Sequence, residues 1–114
     1  MTVEYIKNSD ISRIIVGIPK KHKHIRLLMA LEDGRVFIFS EATIANIVRA
    51  YINVKTHPTI KAIKLEKKHL KGRKLKSGYA HIQLLEVEND ENDIREELLH
   101  IIKESVYISS TKPS

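Results

Sequence analysis

The sequence predicts an α+β domain in two layers, an antiparallel sheet of four to five strands with two helices in the order βββαββα. Three observations carry this reading. Short β-branched runs are bounded by proline and glycine. An Asp33-Gly34 pair separates two apolar runs. Two further stretches repeat apolar residues at helical spacing. The length of 114 residues suits one domain that buries a core without cross-links, so 1–114 reads as a single unit with 1–10 and 109–114 poorly ordered.

Each element has a local reason. Residues 1–10 show no pattern and read as irregular. Residues 12–18, SRIIVGI, are β-branched and end at Pro19, which predicts a strand. Residues 19–24, PKKHKH, form a basic loop, and 25–31, IRLLMAL, a second strand. Asp33-Gly34 predicts a two-residue type I′ turn into the strand VFIFS, which places Glu32 opposite Arg35 and Leu31 opposite Val36. Ser40 is a plausible N-cap for a helix over 41–54, whose stripe is Ile44, Ile47, Val48 and Tyr51. The helix must end before His57-Pro58, because a residue preceding proline avoids the α region. Residues 59–66, TIKAIKLE, alternate as a strand, 67–78 form a basic turn-rich segment, and 79–88 make another strand. A last helix starts near Asp90 with an acidic first turn, which suits its dipole, and buries Ile94, Leu98, Ile101 and Ile102. VYISS, 106–110, is the end of that helix or a short strand.

Alternation assigns strand residues to faces. Val36 and Ile38 share one face of their strand, Ala80, Ile82 and Leu84 one face of theirs, and these are natural seats for the helices. The opposite parity is also apolar, with Leu28, Ala30, Phe37, Phe39, Tyr79, Leu85 and Val87. A half-wet antiparallel sheet would carry polar residues there. The second face therefore needs a cover, which can be a helix, the N-terminal segment, a second subunit or the bases of a nucleic acid.

Composition narrows the function classes. There is no cysteine, which excludes disulfides and thiolate metal sites, and no apolar run long enough for a membrane span or a signal peptide. The expectation is a soluble, cytoplasmic protein without membrane association. Abundant Ile, Lys and Glu with a single glutamine, Gln83, is the bias of proteins from hot environments and equally of AT-rich genomes. Residues 1–85 hold 17 Lys/Arg against 6 Asp/Glu, whereas 86–114 hold 3 against 8. A basic body with an acidic last quarter points to an anionic partner on one surface.

The basic residues cluster in two places. KAIKLEKKHLKGRKLK, 61–76, contains eight Lys/Arg and one acid, Glu66. A second cluster spans 20–26. Lysines and arginines that neutralise phosphates supply most non-specific affinity for nucleic acid. Lys20, Lys21, Lys23, Lys67, Lys68, Lys71, Arg73, Lys74 and Lys76 are the candidate contacts for RNA or DNA. A lysine-rich hairpin also serves simply to keep a sheet edge soluble. The corresponding alternative is a homodimeric interaction or assembly protein that uses an apolar sheet face, with its charge serving solubility.

From residue 35 to 110 the order strand, helix, strand, basic loop, strand, helix, optional strand resembles the RNA recognition motif. SGYAHIQL resembles that family's central strand motif through Gly78, Tyr79, Ala80 and Ile82, and VFIF its partner strand through Phe37. The resemblance implies base stacking by Phe37, Tyr79 and His81. Ser77 stands at the motif's basic position, and His81 and Leu84 where aromatics are usual. A remote third reading comes from His22 and His24, followed by Tyr51 and Lys55 as Y-x-x-x-K, which resembles HUH endonucleases. There two histidines hold a metal and tyrosine attacks a phosphodiester. Lys23 replaces that family's intervening hydrophobic residue, and Tyr51 falls on the apolar helix stripe. The leading reading is therefore a non-catalytic protein with neither cofactor nor metal.

Overall fold

A computed structural model describes residues 2–70 and 82–107. β1 (Glu4–Tyr5) and a 3-10 turn (Asn8–Asp10) lead into an antiparallel meander of β2 (Ile11–Gly17), β3 (Arg26–Leu31) and β4 (Val36–Ser40). α1 (Glu41–Thr56), the antiparallel pair β5 (Leu65–His69) and β6 (Ile82–Glu86), and α2 (Glu91–Glu104) follow. β7 (Val106–Tyr107) pairs parallel with β1. The class is α+β, and without the two-residue strands the order is βββαββα. The strands divide among separate sheets of three, two and two, where one sheet was expected.

The N-terminal residues are better organised than their sequence implies. Lys7 N donates to Asp10 Oδ2 at 2.9 Å, and Asp10 N returns to Lys7 O at 2.9 Å. Glu32 N then donates to Asp10 O at 2.8 Å, which ties the turn, through its buried Asp10, to the β3–β4 hairpin.

That hairpin differs from the expected one by a single residue, with large consequences. Leu31 N donates to Arg35 O at 2.8 Å and Gly34 N to Leu31 O at 3.1 Å, so the loop has three residues, Glu32-Asp33-Gly34. Only Gly34 takes a positive φ, 96°. A turn followed by a left-handed glycine needs one such residue, whereas type I′ needs two. Asp33 is thereby free to accept from Arg35 N at 3.0 Å and Arg35 Nε at 2.9 Å. Ala30 now faces Val36 and Leu28 faces Ile38. A one-residue slip moves side chains to the other face. Leu28 and Ala30 therefore join Val36, Ile38 and Ile15, while Phe37 and Phe39 join Leu27, Met29, Ile14 and Val16.

The strand expected over 59–66 begins only at Leu65. Strand conformation needs a partner, and β6 reaches back only to the Leu65–Glu86 pair. Upstream, Thr59 N and Ile60 N both donate to His57 Nδ1 at 3.2 Å, and Lys61 N donates to Glu91 Oε1 at 2.9 Å. Side chains thus satisfy these backbone groups in place of a ladder. Both helices are capped as their sequences require. Ser40 Oγ accepts from Thr43 N at 3.4 Å, and Asp90 Oδ1 from Asn92 N at 2.7 Å.

The core is small. Among the described residues, Ala30 and Leu31 are the buried hydrophobic side chains. The stripes expected to be buried on the helices are only partly covered: Ile44, Ile94 and Ile101 are half-buried, whereas Ile47, Val48 and Tyr51 of α1, and Leu98 and Ile102 of α2, are exposed. No described helix is long and apolar enough to cross a membrane.

Candidate nucleic-acid interface

The first basic cluster is a shaped turn. Pro19 ends β2's run, and His22 N donates to Pro19 O at 3.0 Å, so Pro19 to His22 form a β-turn. Its third residue, Lys21, has φ 68°, in the left-handed region that favours glycine. A side chain there costs about 1–2 kcal/mol. The base of the loop is fixed at the start of α1: Ile25 N donates to Glu41 Oε1, and His24 Nδ1 lies 3.8 Å from the same oxygen. Lys20, Lys21 and Lys23 are exposed and form no ion pair among the described residues.

Several of the chain's carboxylates engage other groups. Glu4 and Asp33 both pair with Arg35, which fixes the β3–β4 turn. The hydrogen bond from Arg35 holds the Asp33 carboxyl below its ordinary value, and the bonds to Glu4 and Asp33 raise the Arg35 guanidinium. Glu97 of α2 accepts from Lys64 Nζ at 2.8 Å, and that bond raises the lysine above its ordinary value. The acidic helix thus meets the basic segment at its start, through Glu91 on the Lys61 backbone and Glu97 on Lys64.

Beyond Lys64 the segment continues as strand rather than loop. Lys67 lies opposite Leu84 and Lys68 opposite Gln83, so the two lysines alternate onto the two faces of the β5–β6 pair. Both are exposed and neither forms an ion pair among the described residues. Lys71, Arg73, Lys74, Lys76, Tyr79 and His81 lie outside the described residues.

Phe37 is partly exposed, with the Arg35 guanidinium 5.9 Å from its ring centroid. It pairs with Met29, three positions from the Arg26–Ser40 pair that ends the meander near the lysine turn. That places it about 10 Å along the strand from the Arg26–Ser40 pair. β4 pairs with β3 and β6 with β5, so Phe37 and the strand that follows His81 belong to different sheets. His22 and His24 fall in the β2–β3 loop and not on a strand, and Tyr51 stands exposed on α1. Among the described residues, no three His, Cys, Asp or Glu side chains gather as a metal site would require.

Two features escaped sequence reasoning. The left-handed Lys21 carries no sequence signal, because glycine is the residue expected there. The partition of lysines into neutralised (Lys64) and unpaired (Lys67, Lys68) depends on where α2 lies. Comparison with known proteins finds no matching family model, curated protein or solved structure.

Proposed function

We propose that the protein is a small, cytoplasmic, non-catalytic nucleic-acid-binding protein that holds the phosphate backbone of RNA or DNA through exposed lysines. The observation that carries the reading is the Pro19–His22 turn. It presents Lys20 and Lys21, with Lys23 beside them, and among the described residues none of the three forms an ion pair. Glu4 and Asp33 are held by Arg35, Glu97 by Lys64, and Glu41 and Glu91 by backbone N–H groups. Lys67 and Lys68 add a second exposed pair of charges. Strained backbone retained at a charged corner fits a position selected for its side chain. Phe37, with Tyr79 and His81 from the sequence, would supply stacking to unpaired bases.

The test is fluorescence anisotropy with labelled single-stranded RNA, single-stranded DNA and duplex DNA at low salt. The reading predicts binding to all three, with single strands favoured if Phe37 stacks and that preference reduced in Phe37→Leu. Absence of binding to every probe at low salt overturns it.

A further inference from the structure

The chain exposes two apolar surfaces, one on a sheet and one on a helix. One is the sheet face of Ile15, Leu28, Val36 and Ile38, with Ile15 56%, Val36 50% and Ile38 66% exposed. A shallow apolar depression of about 350 Å³ runs across it between Ile15, Ile18, Leu28 and Ile38. The other is the stripe of Ile47, Val48, Tyr51 and Ile52, which lie at i, i+1, i+4 and i+5 on α1, with Tyr51 64% exposed. Among the described residues, neither surface is buried by another element.

Among the described residues both surfaces stay about half exposed. β4 ends at Ser40 and α1 starts at Glu41, so no residue intervenes to turn the helix back over its own sheet. Strand-to-helix connections ordinarily use about 2–6 residues. Ala50 and Val54 of α1 line a cavity with Ile63, and Ile47 and Tyr51 stand at that cavity while remaining more than half exposed.

We propose that a second copy of this chain covers the sheet face with its α1, and that the first copy's α1 does the same in return. A two-fold axis makes such contacts reciprocal, so one operation closes both surfaces on both copies. The seven half-exposed side chains, Ile15, Val36 and Ile38 on the sheet with the four on α1, hold on the order of 600 Å² per copy. That is most of the ~800 Å² per partner of a stable interface. The proposal does not depend on nucleic-acid binding.

The test uses cysteine placement in the full chain, which has no cysteine of its own. Light scattering should give a dimer, twice the chain mass of 13.1 kDa. Ile38→Cys and Tyr51→Cys, made as separate variants and mixed, should form a disulfide joining position 38 of one copy to position 51 of the other. Such a bond requires Cβ atoms about 3.5–4.5 Å apart, so it reports this contact specifically. Ile38→Glu and Tyr51→Glu should each shift the protein towards monomer. A wild-type monomer at micromolar concentration overturns the proposal. So does a 38–38 link formed in preference to 38–51, which would mean sheet packed on sheet. A link within one monomer carrying both cysteines also overturns it, because the chain would then cover its own face.

Discussion

Replacing Lys21 by glycine separates the fold's interest in that position from the function's. Lys21 sits at φ 68°, and relieving a left-handed side chain returns about 1–2 kcal/mol. Glycine also loosens the unfolded chain, which takes back roughly 0.5–1 kcal/mol. Lys21→Gly should therefore be as stable as the natural protein or up to about 1.5 kcal/mol more stable. Its neighbour has no positive φ, so Lys20→Gly should lose roughly 0.5–1 kcal/mol. Urea denaturation followed by circular dichroism measures both. In binding the two variants should behave alike. Each removes one phosphate neutralisation, worth about eightfold in duplex affinity at 0.1 M salt by counterion release, and lowers the salt slope by about 0.9. If Lys21→Gly loses as much stability as Lys20→Gly, the strain argument fails. If it binds as tightly as the natural protein, Lys21 is not a phosphate contact.

Three further outcomes follow from the same geometry. Gly34→Ala should destabilise by about 1 kcal/mol in urea, because φ is 96° while the space beside the glycine is open, so the cost is backbone alone. The Asp33 carboxyl is held below its ordinary value of 3.8 by Arg35, so its contribution is complete above that pH and disappears as pH falls through the lowered folded value. Asp33→Asn should accordingly flatten the acid limb of the stability–pH curve. Lys64→Gln should leave the salt slope of nucleic-acid binding unchanged, because Glu97 already neutralises that lysine, whereas Lys67→Gln should reduce it.

What the sequence disclosed depended on how local the determining interaction is. Ser40 and Asp90 cap helices through their own hydroxyl and carboxylate, and both helix starts are legible from residues within one turn. Asp33-Gly34 announced a hairpin correctly, yet the same dipeptide serves a two-residue and a three-residue loop. The three-residue loop is accompanied by Asp33 accepting from Arg35, and it reverses which residues Phe37 and Val36 sit beside. The alternation of 59–66 looked like a strand because alternation does not reveal whether another strand lies opposite. Of the candidate lysines, the sequence located the clusters. Only the position of α2 separates Lys64, which is paired, from Lys67 and Lys68. The helix stripes were legible as apolar but not as exposed, since periodicity marks a surface that needs covering and says nothing of what covers it.

The central claim is that the Pro19–His22 turn and its flanking lysine hold phosphates. The direct measurement is the salt dependence of duplex-DNA affinity for the natural protein and for the variant Lys20→Gln, Lys21→Gln, Lys23→Gln. Loss of three phosphate contacts should make the log–log slope shallower by about 2.7, with the folded circular dichroism spectrum retained. Equal slopes for the two proteins would contradict the claim.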